Sequence, residues 1–223
     1  MSWDPVWEEV HQSRPWGRYP PEELVRFTAR YFYSVPDRKA IKILELGCGA
    51  GANLWYLARE GFDAYGVDGS KSAVDKARRY LQQDGLSAHL QVGDIAGFRS
   101  MFPGVLFEGL VDVACLYCNR IAEVKAVADE GFACLRPGGR ILSVMLAVGS
   151  YGERLGREIE PGTRTEISDG PLKGLGVCHF FSIEEVQGVF REFADLQIEY
   201  SVRSICNRAQ VMKFWVIEGV KRV

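Results

Sequence analysis

The stretch Ile43-Leu44-Glu45-Leu46-Gly47-Cys48-Gly49-Ala50-Gly51-Ala52-Asn53 decides how the chain is read. An apolar run interrupted by one acid turns through three glycines, and a helical pattern with Leu54, Leu57 and Ala58 follows at once. A buried strand, a glycine turn and a helix N-terminus in that order form the grip that open α/β sheets place on nucleotide-like ligands. Gly47-x-Gly49-x-x-Ala52 also satisfies the relaxed dinucleotide fingerprint, so the turn by itself fits either a nicotinamide cofactor or another nucleoside.

Working outward, strands and helices alternate. Residues 63–67 read as a second strand ending at Asp68, and Ser70 caps a helix whose inward face is Ala73, Val74, Ala77 and Leu81. Residues 87–92, 110–116 and 140–147 read as strands three to five, the last entered through Pro137-Gly138-Gly139. This order predicts a parallel sheet with right-handed crossovers. Two closing strands, 195–203 and 211–218, are joined by a loop too short for a crossover helix and must be antiparallel neighbours. Before them, Ser182 and Glu185 form a capping box. Residues 149–176 hold seven glycines with Arg154, Arg157 and Arg164 and little apolar periodicity, and are expected to be an irregular cover over a site. Residues 1–36 form a helical leader and cover, with Trp16 and Tyr19 in an arginine- and aromatic-rich loop, ahead of the main domain at 37–223.

Bulk properties narrow the partners. A net charge of −2 and a pI of about 6.0 supply no basic field for nucleic acid. No apolar run reaches membrane-spanning length, and the first residues are tryptophans and charges instead of a signal-type apolar segment, so a cytoplasmic protein without membrane contact is expected. Six cysteines sit in apolar segments. Cys115-x-x-Cys118 has no second pair for zinc, so buried free thiols and no metal are expected.

Acids around the glycine turn choose the ligand. Glu45, two residues before the first glycine, suits a ligand with an ammonium group and has no use in hydride chemistry. Asp68 can accept both hydrogen bonds of a ribose diol. Gly93-Asp94-Ile95 offers an acceptor for an amino group beside an apolar edge for a flat ring. In combination, ELGCGAG, GVDGS, VGDI and LRPGG make residues 40–218 resemble the class I S-adenosylmethionine-dependent methyltransferases. The resemblance implies a Rossmann-like α/β fold. Its seven-stranded, mostly parallel sheet would have an antiparallel last strand and helices on both faces. It implies S-adenosyl-L-methionine as cofactor, with Glu45, Gly47, Cys48, Gly49 and Gly51 on the methionyl side, Asp68 and Gly69 at ribose, and Asp94 and Ile95 at adenine. Cys115, Tyr117 and Asn119 would lie beside the methionine and face the substrate.

The activity so implied is in-line methyl transfer, which needs mainly positioning because the sulfonium methyl is already activated. His179 is favoured over His11 as a general base, and His89 is assigned to structure. Leu116-Tyr117-Cys118-Asn119 lacks the prolines of amino-directed nucleic-acid methyltransferases, which with the mild acidity leaves a small-molecule acceptor and no nucleic acid. In its short leader, cover loop and His179-Phe180-Phe181 helix entry the chain resembles small-molecule family members of the tellurite-resistance and quinone-biosynthesis kinds. Trp16, Tyr19, Asn119 and Arg154 are candidate acceptor contacts, the arginines suggesting an anion. A non-catalytic S-adenosylmethionine-binding protein and a nicotinamide-dependent oxidoreductase are the alternatives. Oligomeric state is not legible.

Overall fold

The computed structural model describes residues 3–222. The leader folds as two helices, α1 (Val6–Ser13) and α2 (Glu22–Phe32). Then come β1 (Lys42–Leu46), α3 (Ala52–Arg59), β2 (Asp63–Asp68), α4 (Lys71–Gln83), β3 (His89–Val92), the one-turn α5 (Phe98–Met101), β4 (Phe107–Val113), α6 (Ile121–Cys134) and β5 (Leu135–Leu146). A small unit follows, made of β6 (Arg157–Glu160), β7 (Thr163–Thr165) and β8 (Cys178–His179). The chain closes with α7 (Ile183–Val189), β9 (Ala194–Ile205) and β10 (Gln210–Val220).

The main sheet has the order β3-β2-β1-β4-β5-β10-β9. Neighbours from β3 to β5 are parallel, and β10 runs antiparallel between β5 and β9. Six strands therefore share one direction, as the alternation of strands and helices requires. Apolar clusters cover both faces. Phe107, Leu110, Ile141, Met145 and Phe190 belong to one, and Leu24, Phe27, Ile43, Leu54 and Leu142 to the other. Strands buried on both sides need near-continuous apolar sequence, which β1 and β5 have.

Three local expectations shift. Strand four ends three residues earlier than 116, because Ala114 takes a left-handed backbone (φ 66°) and Leu116–Cys118 coils into a 3₁₀ turn. Pro137-Gly138-Gly139 does not precede strand five but lies within it, where the ladder to β4 slips between Phe107 and Gly109. The segment 149–176 is not structureless: it holds β6 and β7, which with β8 just beyond it form an antiparallel three-stranded sheet. Strands of two to four residues separated by glycines leave no readable period.

Candidate functional site

The glycine turn is shaped by what presses on it. Gly47, Gly49 and Gly51 have φ of 65°, 49° and 85°, a region that L side chains avoid. A Cβ on Gly47 would strike the Cys115 thiol, so this glycine lets the β1 turn rest on the turn after β4. A Cβ on Gly51 would lie 2.7 Å from the Ala77 methyl. The third glycine therefore packs α3 against α4 and is not among the residues that line the cleft.

Four carboxylates stand at or beside the C-terminal ends of β1 to β4. Glu45, on β1, is 2% exposed. Asn53 Nδ2 donates to its Oε1 at 2.6 Å, while Oε2 is buried with no partner. Burial pushes its pKa up to about 8 against the opposing hydrogen bond from Asn53, and the negative charges of Asp68 and Asp112 add to the rise. Asp68, at the end of β2, accepts from Gly49 N on Oδ2 and from Ser70 N on Oδ1, both at 2.8 Å. Burial raises its pKa, and those two N–H groups resist the rise. Asp94, after β3, accepts from Ala96 N on Oδ1 and from Trp3 N on Oδ2. Asp112, at the end of β4, is fully buried and holds the next turn by accepting from Cys115 N, Leu116 N and Ser143 Oγ. Burial raises it to about 6.

The leader supplies the opposite wall. The Glu8 carboxylate accepts from Ser70 Oγ at 2.7 Å and from both Ser72 N and Ser72 Oγ, which fastens α1 to the start of α4. Those hydroxyls hold Glu8 down at about 2, well below the usual carboxylate range. Lys76 Nζ donates to the carbonyl of His11. Trp7, His11 and Trp16 cluster, the His11 and Trp16 rings 4.8 Å apart. His11 is 3% exposed with Nδ1 unpartnered, and its Cε1 would lie 3.4 Å from a Cβ on Gly49. Burial lowers its pKa despite the nearby Asp68 carboxylate. The Trp3 indole rests on Gly69, where no side chain would fit.

Together these surfaces enclose a cleft of about 370 Å³, within the range of small-molecule sites. Glu45, Gly47, Cys48, Gly49, Asp68, Gly69, Asp94, Ile95, Cys115, Asn119, Trp16 and Tyr19 all line it. Four singled-out residues stand elsewhere. Besides Gly51, Tyr117 is buried in the core against Phe214, and Arg154 is exposed on the insertion. His179 is fully buried in β8, its Nδ1 2.6 Å from Thr163 Oγ1 and its Nε2 3.4 Å from Glu185 Oε1. It joins the small sheet to α7, and the histidine in the cleft is His11. His89 stacks on Tyr65 beside Asp63.

The lining contains Asp4, Glu45, Asp68 and Asp94 and neither lysine nor arginine. Of the five arginines in the leader loop and the insertion, four are engaged elsewhere, and Arg154 is exposed outside the cleft. Arg14 donates to the Lys173 carbonyl, Arg18 lies over Tyr80, Arg157 pairs with Glu166 and Arg164 with Glu158. The insertion does not line the cleft but backs the leader, Gly176 lying against Asp4 and Val6. Sequence reasoning missed Trp3, Asp4, Trp7 and Asn53. Asn53 could have been found, since it lies in the first turn of the helix that the glycines open, facing Glu45. The leader residues could not, because nothing local says where α1 docks. Among the described residues no cluster of His, Cys, Asp or Glu could hold a metal, and no helix is long and apolar enough to cross a membrane.

Comparison with known proteins agrees with this geometry. Residues 43–139 match the methyltransferase domain family. Over 183 residues the chain is 25% identical to the tRNA N(3)-methylcytidine methyltransferase trm140 of Schizosaccharomyces pombe, covering 78% of this chain and 58% of that protein. It is 24% identical to a ubiquinone biosynthesis O-methyltransferase of Paramagnetospirillum magneticum, over 63% of this chain and 57% of that one. The chain thus spans less than two thirds of these relatives. A solved S-adenosylmethionine-dependent methyltransferase from Methanosarcina mazei shares the fold, with a TM-score of 0.67, 20% identity, and coverage of 88% of this chain and 97% of that chain.

Proposed function

We propose, from the premise that the chain belongs to the class I S-adenosylmethionine-dependent methyltransferase family, that it transfers the methyl group of S-adenosylmethionine to a small-molecule acceptor without net negative charge. The observation that carries the reading is the buried, unpartnered Oε2 of Glu45 at the head of the glycine turn. A buried acceptor without a donor costs free energy, and an ammonium group is the donor that would relieve it.

The remaining residues fit the same ligand. Each oxygen of Asp68 accepts one backbone N–H and keeps a lone pair for a ribose hydroxyl. Ile95 supplies an apolar edge and Asp94 a carboxylate where adenine would sit, with the Trp3 ring on Gly69 beside them. When bound, the cofactor supplies an electrophilic methyl on a positively charged sulfur. The chain's part is to hold the donor, orient the acceptor behind the methyl, and keep water out with the Trp7, His11 and Trp16 wall. Asp112 fixes the turn carrying Cys115 and Asn119, which faces the acceptor end. Desolvation pushes the pKa values of the Cys115 and Cys118 thiols upward, so they do not act as bases at neutral pH.

The acceptor's charge follows from the lining. An anion would meet carboxylates with no cation to pair with, whereas a neutral or positively charged aromatic acceptor meets indole faces. The same point counsels against a polyphosphate chain lying along the cleft. Calorimetry with S-adenosylhomocysteine and NADH tests the cofactor, and binding of NADH alone would overturn the reading. Transfer of labelled methyl to matched amine and carboxylate pairs of one aromatic scaffold tests the acceptor. Faster transfer to the carboxylates would refute the charge argument. The cytoplasmic setting, and the division into a leader at 1–36 and a domain at 37–223, are part of this proposal.

A further inference from the structure

The two edges of the main sheet differ. One is β3, four residues long; the other is β9, twelve residues from Ala194 to Ile205 with β10 as its one neighbour. An exposed edge is a row of unpaired backbone donors and acceptors, which proteins usually blunt with proline, bulges, covering elements or a short strand. From Leu196 to Ile205 β9 has none of these, and of the charges that can also blunt an edge it carries one of each sign, Glu199 and Arg203. Its only register shift against β10 lies near Ala194, and Tyr200 and Val202 stand 61% and 53% exposed.

We propose that β9 is the interface to a second copy of this chain, the two edges pairing antiparallel about a two-fold axis through Ser201. A two-fold perpendicular to the sheet must bring a residue opposite itself, because paired residues point to the same face. Each candidate centre therefore makes a definite set of cross-strand pairs. Centring on Glu199 or Arg203 sets like charges face to face. Centring on Tyr200 or Val202 places both charges opposite uncharged residues. Centring on Ser201 sets Glu199 opposite the second copy's Arg203, twice by symmetry, and Tyr200 opposite Val202, also twice. Opposite charges and an aromatic facing a β-branched residue are favourable cross-strand pairs. Both charges are exposed, and among the described residues neither makes an ion pair within the chain. The occupant that matches this edge is therefore the edge itself.

Analytical ultracentrifugation of the full chain at micromolar concentration should show a dimer. Glu199→Arg alone, or Arg203→Glu alone, places like charges opposite one another at two points and should weaken dimerisation about tenfold or more. The double variant Glu199→Arg/Arg203→Glu restores opposite pairing and should recover the dimer, which separates lost complementarity from misfolding. With exposed Cys206 changed to Ser, Ser201→Cys should crosslink to its own copy on mild oxidation. Self-opposed residues in an antiparallel pair have Cα atoms about 4.5–5.5 Å apart, within disulfide range. Val202→Cys, facing Tyr200, should not crosslink. A monomeric wild type, a dimer indifferent to both single reversals, or crosslinking through Val202→Cys in preference to Ser201→Cys would each overturn the proposal.

Discussion

Replacing Glu45 with glutamine should strengthen the free protein and weaken its hold on the cofactor, and both effects come from one proton. Burial raises the carboxyl from 4.5 to about 8, so at pH 7 roughly nine in ten molecules hold it neutral. Receiving an ammonium group as a carboxylate then requires release of about 0.9 proton at pH 7. Affinity for S-adenosylhomocysteine should climb up to about tenfold per pH unit below 8, equivalent to about 1.4 kcal/mol per unit, and flatten above. Titration calorimetry in buffers of different ionisation enthalpy reads the proton count directly. The ligand's own amine titrates alike with both proteins, so the difference between wild type and Glu45→Gln isolates the carboxyl. For stability the sign is opposite. A raised folded pKa gives stability that is full below pH 4.5 and lost as pH rises towards 8, about 3 kcal/mol of it by pH 7. An amide loses none of this, so the variant should melt higher than wild type at pH 7–8 while binding more weakly. Equal proton release by both proteins, or no release by wild type, would refute the assignment of Glu45 to an ammonium group.

Other expectations are briefer. Glu8→Ala removes the acceptor for the Ser70 and Ser72 donors and should raise the dissociation constant for S-adenosylhomocysteine several-fold, while limited proteolysis speeds up within the leader. Gly47→Ala meets both a left-handed backbone and the Cys115 thiol; it should cost at least about 1–2 kcal/mol in urea unfolding, and Cys115→Ala should recover only part of that. His179→Asn should lower the melting temperature by disturbing Thr163 and Glu185 yet leave cofactor affinity unchanged by calorimetry. In a thiol-titration time course at pH 7.5, Cys206 should react first, since it is the one exposed thiol.

The parts of the site legible in sequence were those fixed by position along a strand. Glu45, Asp68 and Asp94 each end a strand of a parallel sheet, and the sheet's topology delivers all three to one edge whatever the helices do. The parts that were not legible depend on distances between elements. His179 was favoured over His11 on sequence; only packing shows that His11 faces Gly49 while His179 is enclosed between β7 and α7. The loop arginines likewise suggested an anionic acceptor until the structure showed Arg164, Arg157 and Arg14 turned to Glu158, Glu166 and the Lys173 carbonyl, and Arg154 outside the cleft. Gly51 belonged to the right motif but serves helix packing, a role its neighbours in sequence do not reveal.

The Glu8–Ser70 contact also sets an order of events during synthesis. It closes a span of 62 residues, so α1, made before the sheet, has nothing to dock on until β2 and the start of α4 have followed it. Its amphipathic face must wait in solution through that interval. Once α4 has formed, closure costs only the slowly growing entropy of a long loop. The ligand cleft is thus completed by a helix made earlier, returning to a sheet made after it.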